Sequence, residues 1–364
     1  MKTDIWQDIV VQIATSYTRE GTGFYIPQYG LVVTHEQTVS DHGTAIIGGA
    51  DGQHHLATVI FADTLNDLAF LKVADTFQPQ VDILTFATHF EKDTPVTTIG
   101  HPFGDSLRQA TGQLQEIEEE GQYLRHNAVL PDTYNGSLLL NSNNEILGMS
   151  TFAHEGNATF GLALSGLHIE NIIKEYLVGK GQKGVRCLEC STITFEPGKK
   201  LLYCSNCGAK VTYLSTIKAY EPIGVAKTIE DIITRIGHEV KLARRAPNNW
   251  EIQEGSAKVV ISYHEDSGLI TGDAYLCLLP KNNLKDIYQF LLQQNKTVER
   301  LTFSLHPNGQ EIILSLLIYD RYLNVDIGMQ LFQHLLERAD YFDNVLVEEY
   351  GASWTQPHGA GEGR

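Results

Sequence analysis

The sequence predicts a multidomain protein: an all-β N-terminal region, a small cysteine-paired module, and a C-terminal α+β domain with an antiparallel sheet. Three observations carry this. From about residue 5 to 165 the chain runs as short β-rich segments with turn residues between them, the pattern of a barrel or sandwich. Four of the five cysteines fall in two Cys-x-x-Cys pairs. Beyond them, helical and strand-like stretches are segregated, as expected when helices flank an antiparallel sheet.

Taken in order, "DIVVQIAT", "GTGFYIP", "GLVVT", "TAIIGG", "HHLATVIFA", "LAFLKV", "PVTTIG", "SLLLNSNNEILGMS" and "ATFGLALS" read as strands. "GLHIENIIKEYLVG" has apolar residues at helical spacing and stops at Gly179, which suits a glycine C-cap. "KGQKG" reads as a linker. After the cysteines, "TIEDIITRIGHEV", "LKDIYQFLLQQ" and "VDIGMQLFQHLLERADYF" read as helices. "NWEIQEG", "KVVISYHED", "LITGDAYLCLLP", "LTFSLHPNG" and "EIILSLLIYD" read as strands, with "HPNGQ" as a hairpin turn. The expected domains are 1–179, 180–215 and 216–351, and the aperiodic, glycine-rich tail 352–364 is expected to be disordered.

Composition bounds the function. At 364 residues and 42% hydrophobic, the chain can bury more than one core. Forty-four acidic against 27 basic residues give a formal net charge of -17, which repels phosphate backbones and anionic membranes on average. The apolar runs are strand-length, short of the roughly 20 residues a membrane helix needs. Asp4 and Asp8 interrupt any signal-peptide core, so the N-terminus reads as mature sequence and the protein as cytoplasmic.

Cys187 and Cys190 ("CLEC") and Cys204 and Cys207 ("CSNC") flank a spacer long enough for a β-hairpin. Two such knuckles facing across a hairpin give a tetrahedral thiolate site suited to one structural Zn2+, with iron as the minority metal. Four thiolates leave no open position for catalysis, and a module of under about 30 residues draws its folding energy from the metal. The alternatives are two disulfides or a redox pair; a reducing compartment and the absence of a surrounding βαβ pattern disfavour them. The basic residues beside the ribbon are too few to make nucleic acid the expected partner. Cys277, alone in an apolar strand, reads as a buried inert thiol.

Several stretches of the first region resemble the HtrA-type chymotrypsin-fold serine proteases, in matching order: "GTGFYIPQYGLVVT", "DTLNDLAFLKV", "TTIGHPFG", "NSNNEILGM" and "FGLALS". The resemblance implies a chymotrypsin-like double β-barrel. It fails where the chemistry should be. The family's catalytic histidine, three residues after a threonine, falls on Gln37, and an amide is no general base. The family's aspartate is retained as Asp67, read here as fixing local backbone. Its Gly-Asn-Ser-Gly-Gly motif falls on Thr133, Tyr134, Asn135, Gly136 and Ser137, so Asn135 replaces the serine and Thr133 a glycine of the oxyanion-hole turn.

Rescue residues are His35, Ser137 and Thr133. If His35 lies on a strand it shares a face with Gln37 but sits roughly 7 Å from it, too far for the same hydrogen bond. The resulting expectation is a pseudoprotease, either binding extended peptide segments along its groove or serving as a scaffold. The competing reading is a serine-type endopeptidase using His35 and Asp67 with Ser137 or Thr133.

The C-terminal region resembles the type III secretion chaperone-like and YbjN-like domains in its pattern and in "NNWEIQEGSAKVVISYHED" and "IILSLLIYDRYLNVDIGMQLFQHLLERADYF". That resemblance implies a protein partner and a possible homodimer through this domain. His264, Glu265 and Asp266 alternate faces and read as a solvated turn, and His334 needs no function.

Overall fold

The computed structural model describes the chain except residues 1–3, 17–20, 50–52, 75, 76, 78, 80–82, 102–106, 131–135, 156, 157, 198–201, 255, 256, 308 and 355–364. The candidates Thr133 and Asn135, and most of the tail expected to be disordered, lie outside the described residues. The chain divides into two compact units, Met1–Tyr220 and Glu221–Arg364.

Unit 1 opens with a short helix α1 (Asp4–Ile9) and strand β1 (Val10–Ala14), so the strand expected from Asp8 begins two residues later. Strands β2 (Gly21–Ile26) and β3 (Leu31–Thr34), a helical turn α2 (Glu36–Val39), and strands β4 (Thr44–Gly48), β5 (His54–Asp63) and β6 (Leu68–Val73) follow. They pair in the order β5-β4-β1-β2-β3-β6, and β6 pairs back onto β5, closing a six-stranded ring. A register shift between Val59 and Phe61 lets the long β5 serve both neighbours.

A second closed barrel, in the order β10-β11-β12-β9-β8-β7, is built from β7 (Pro95–Gly100), β8 (Arg108–Glu118), β9 (Tyr123–His126), β10 (Ser137–Asn141), β11 (Ile146–Glu155) and β12 (Ala158–Ser165). The two rings fit a chymotrypsin-like double barrel. Strands β8 and β9, absent from the sequence reading, fall in "RQATGQLQEIEEEGQYLRH", where only Leu114, Leu124 and His126 are buried and the apolar signal is thin.

The helix α3 (Gly166–Leu177) closes this part of the chain, its N-cap Ser165 accepting from the His168 N–H. Gly179 is not the left-handed cap that the sequence predicts. Positive φ falls on Lys180 and Gly181, and Gly179 lies where the Phe195 ring leaves no room for a Cβ. Tyr176 of α3 packs on stacked Phe61 and Phe70, whose centroids lie 4.9 Å apart. These rings share a core with Leu138 and Met149 of the second barrel.

The cysteine segment adds β13 (Gly184–Arg186) and β14 (Ile193–Phe195), an antiparallel pair whose first strand runs parallel to β5. The expected linker therefore ends inside a strand, at Gly184.

Unit 2 contains α4 (Gly224–Arg235), α5 (Val240–Ala243), β15 (Arg244–Ala246), β16 (Asn249–Glu254), β17 (Ala257–His264), β18 (Leu269–Leu278), α6 (Leu284–Thr297), β19 (Leu301–Leu305), β20 (Glu311–Tyr319), α7 (Val325–Tyr350) and β21 (Ser353–Trp354). The sheet is antiparallel, ordered β15-β16-β17-β18-β20-β19, with β21 on β18. Residues from α4, α6 and α7 fill one core with Trp250, Ile261, Ala274 and Leu314 from the sheet. His264, Glu265 and Asp266 are exposed at the β17–β18 turn. Cys277 is buried, and burial, followed by Asp343 and Glu311, pushes its thiol up to about 12. Among the described residues no helix is long and apolar enough to cross a membrane.

Candidate functional site

The site begins where β3 ends. His35 has an extended backbone and caps α2, so the chain coils immediately after Thr34 instead of continuing as a strand. This overturns the separation expected for His35. Within a helical turn, residues two apart no longer step along a strand, and His35 and Gln37 converge on one carboxylate. His35 Nδ1 donates to Asp67 Oδ2 at 2.7 Å, Gln37 Nε2 donates to the same oxygen at 3.2 Å, and the Gln37 backbone N–H donates to Oδ1 at 3.0 Å.

Asp67 itself has φ +46, a left-handed conformation in the tight β5–β6 turn that aspartate tolerates better than most residues. Burial raises its pKa, but the His35 ring and the Gln37 and Glu36 N–H groups outweigh this and hold the carboxyl below its usual range. Neighbouring Glu36 is pushed up, by burial first and then by the charge of Asp67.

With an ionised acceptor, the shared proton sits on His35 Nδ1, leaving Nε2 as the free ring nitrogen. Nε2 is buried and meets no hydrogen-bond partner among the described residues. Half of a base–orienter pair is thus assembled, with its working end turned into protein.

The nucleophile loop, 131–135, lies outside the described residues. Gly136, directly after it, has φ +106, and a Cβ there would lie 1.8 Å from the Thr22 carbonyl oxygen, so only glycine fits. Ser137 opens β10 opposite Ser150. Leu139, two residues on and therefore on the same face, belongs to the second barrel's core. The Ser137 hydroxyl is buried without a hydrogen-bond partner among the described residues, and a Cβ on Gly100 would lie 2.3 Å from it. Among the described residues, no hydrogen bond joins Ser137 to His35.

Beside it the second barrel holds a polar pair the sequence did not single out. His126 Nε2 lies 2.8 Å from Ser150 Oγ, and the imidazole ring occupies the space over Gly161. Burial pulls the pKa of His126 down to about 4, so it is neutral at pH 7.

The second feature is the cysteine cluster. The sulfurs of Cys187, Cys190, Cys204 and Cys207 all lie within 4.8 Å of one another, with Cys187 to Cys207 at 3.6 Å and Cys190 to Cys204 at 3.8 Å. A tetrahedron with metal–sulfur bonds of about 2.3 Å has edges of about 3.8 Å, which these two distances match. Each knuckle closes in the same way: Ser191 N–H donates to the Cys187 carbonyl and Gly208 N–H to the Cys204 carbonyl. Both closing residues have positive φ, +56 at Ser191 and +74 at Gly208.

The Thr192 N–H, the Asn206 amide and the Thr192 hydroxyl draw the Cys190 thiol down to about 6. The Ala209 N–H acts the same way on Cys207, yet the crowding of the other sulfurs pushes that thiol up to about 12. Four sulfurs this close cannot all ionise without a cation between them.

Ser191→Gly is expected to relieve the left-handed serine and tighten metal binding by about 0.5–1 kcal/mol, two- to fivefold. Competition with a colorimetric chelator measures it, and an unchanged or weaker affinity would show that the loop is not strained.

Comparison with known proteins bears on the barrels. Residues 21–149 match the trypsin-like peptidase domain. The trypsin-like region has relatives among the DegP and HtrA endoproteases. The chain is 28% identical over 180 residues to a probable periplasmic serine endoprotease DegP-like protein of Chlamydia trachomatis, covering 44% of this chain and 34% of the relative. It is 26% identical over 197 residues to the serine endoprotease DegS of Salmonella typhimurium, covering 49% and 55%. The chain thus spans from a third to a little over half the length of these relatives. The crystal structure of the Rv3671c protease in its inactive form superposes with a TM-score of 0.41 at 22% identity, covering 47% of this chain and 90% of that one.

Proposed function

We propose that the trypsin-like domain is proteolytically silent and binds an extended segment of a partner protein, and that the four cysteines hold one structural zinc ion in a ribbon. The observation that carries the first part is the His35 ring: its Nδ1 is bound to Asp67, and its buried Nε2 meets no hydrogen-bond partner among the described residues, Ser137 included. A general base must reach the proton it removes, so this imidazole is an anchor for Asp67 and not a proton acceptor for a substrate. Gln37, on the same carboxylate, has no basic nitrogen to take over.

Peptide binding by strand addition needs only main-chain hydrogen bonds and survives the loss of catalysis. A reducing compartment, consistent with a cytoplasmic location, fits the zinc reading because the thiols must stay reduced. The chaperone-like reading of unit 2 supplies a second protein-binding surface and a possible homodimer.

A second reading, a serine endopeptidase using His35, Asp67 and Ser137 or Thr133, is favoured by the 2.7 Å His35–Asp67 bond and by the endoprotease activity named for the matched relatives. Prolonged incubation with a fluorophosphonate probe, followed by intact-mass spectrometry, separates the two. We expect an unmodified protein. A stoichiometric adduct mapped to Ser137 or Thr133 overturns the silent reading in favour of the endopeptidase.

A further inference from the structure

The cysteine module is more than an appendage. Val185, Cys187, Cys204, Val211, Tyr213 and Leu214 share one buried core with Val11, Val32, Ile47, Val59 and Leu71 of the first barrel. Two further contacts fasten it to the barrel and α3, and a third holds the module itself together. Strand β13 adds to β5 in parallel, Gly184 opposite Phe61 and Val185 opposite Ala62. Arg186 Nε donates to the fully buried Asp63 at 2.5 Å, while its other nitrogens reach Glu175 and the Ser191 carbonyl. Thr194, itself buried, joins Tyr213 and Ser205 through its hydroxyl.

The four sulfurs are unequal. Cys187 and Cys204 are 1% and 4% exposed and belong to the barrel core, whereas Cys190 is half-buried and Cys207 exposed. A metal ion held here would join two sulfurs in the core shared with the barrel to two nearer the surface. Between module and barrel lies a cavity of about 300 Å³, walled by Val59, Glu36 and Val39 on the barrel side and by Cys187, Val211 and Leu214 on the other. Glu36 and Val39 belong to α2, the turn that sets Gln37 on Asp67 directly after His35.

We infer that the metal centre governs the end of the first barrel: occupied, it seats the ribbon as a cap; emptied, it releases the cap and with it the turn that carries His35 and Gln37. This rests on reading the cysteine cluster as a metal site. A segment this short has no core apart from the barrel residues it covers, so without the ion the two knuckles lose the bonds that define their shape. Its apolar side chains then lose their seat, the cavity beside α2 loses the wall made by Cys187, Val211 and Leu214, and β5 loses its parallel partner. The regulated quantity is the order of the Asp67 site, and the regulator is a soft divalent cation.

The test is hydrogen exchange of the full-length protein, with metal content measured on the same sample, before and after dialysis against a zinc chelator. Amides of Val59–Asp63 and Glu36–His42 are expected to exchange at least tenfold faster in the metal-free protein, strands β7 to β12 to stay unchanged, and added zinc to restore protection. The double variant C190S/C207S, which spares the two core cysteines, is expected to match the metal-free protein.

Unchanged protection in those two segments on zinc removal overturns the cap. So does an equal loss across the second barrel, which would mean collapse of the whole unit. A protein that carries no metal and takes up none overturns the zinc reading itself, and the cap with it. The fluorophosphonate result is independent of all three.

Discussion

Replacing Glu230 by alanine is expected to destabilise unit 2 by about 3–5 kcal/mol, the usual cost of removing one partner from a buried ion pair. Glu230 sits on α4 with its carboxylate inside the core. It accepts from Arg244 Nε at 2.7 Å, from Arg244 Nη2 at 2.5 Å and from the indole N–H of the fully buried Trp250 at 3.1 Å. Removing it leaves the buried indole N–H of Trp250 without its acceptor and takes away the carboxylate that both Arg244 nitrogens meet. Glu230→Gln keeps an acceptor for Trp250 but not the charge opposite Arg244, and is expected to fall between wild type and alanine. Urea titration followed by tryptophan fluorescence reads both variants. An alanine variant within 1 kcal/mol of wild type would mean that water replaces the carboxylate and that the pair is not sealed in the core.

Acidification is expected to weaken the second barrel through His126 by about 3 kcal/mol between pH 6.5 and pH 4. The folded pKa, about 4, lies below the ordinary histidine value of 6.5 because burial penalises the imidazolium. Between these values the unfolded chain binds a proton that the folded chain refuses. Stability is therefore unaffected by this group above pH 6.5, falls as pH drops, and levels off below about pH 4, the depth being about 1.4 kcal/mol per pH unit. Other groups titrate over the same range, so the informative quantity is the stability difference between wild type and His126→Gln. That difference, read from denaturant-dependent hydrogen exchange of β7 to β12, is expected to shift by about 3 kcal/mol toward the variant on going from pH 7.5 to pH 4. A constant difference would show that His126 reaches water or accepts the proton in the folded state.

The first barrel was legible because its strands are short, nearly continuous apolar runs between turn residues, buried on both faces, with Phe24 and Val33 in one core and Leu71 in another. Strands β8 and β9 were not, since most of their residues are exposed or half-buried and their glutamate and glutamine run reads as loop. The cysteine cage was legible from spacing alone: two knuckles and a hairpin-length spacer leave few ways to arrange four thiols. That the cage caps a barrel was not, because β13 carries no periodic signal in three residues and finds its partner, β5, about 120 positions earlier in the chain.

The sequence by itself determined which residues occupy the positions where the resemblance expects a triad. Gln37 and Asn135 stand where the resemblance requires a base and a nucleophile, and side-chain identity needs no coordinates to read. It also supplied the retained Asp67, the four paired cysteines and the helix–sheet character of unit 2. Only the tertiary structure decided what His35 does. A strand places His35 roughly 7 Å from Gln37, whereas a single helical turn after Thr34 folds both onto Asp67 and turns Nε2 inward. Local spacing fixes how far apart two side chains lie only once the backbone conformation between them is known. Here that conformation is set by contacts from distant strands, with two Asp67 oxygens drawing in the groups around α2.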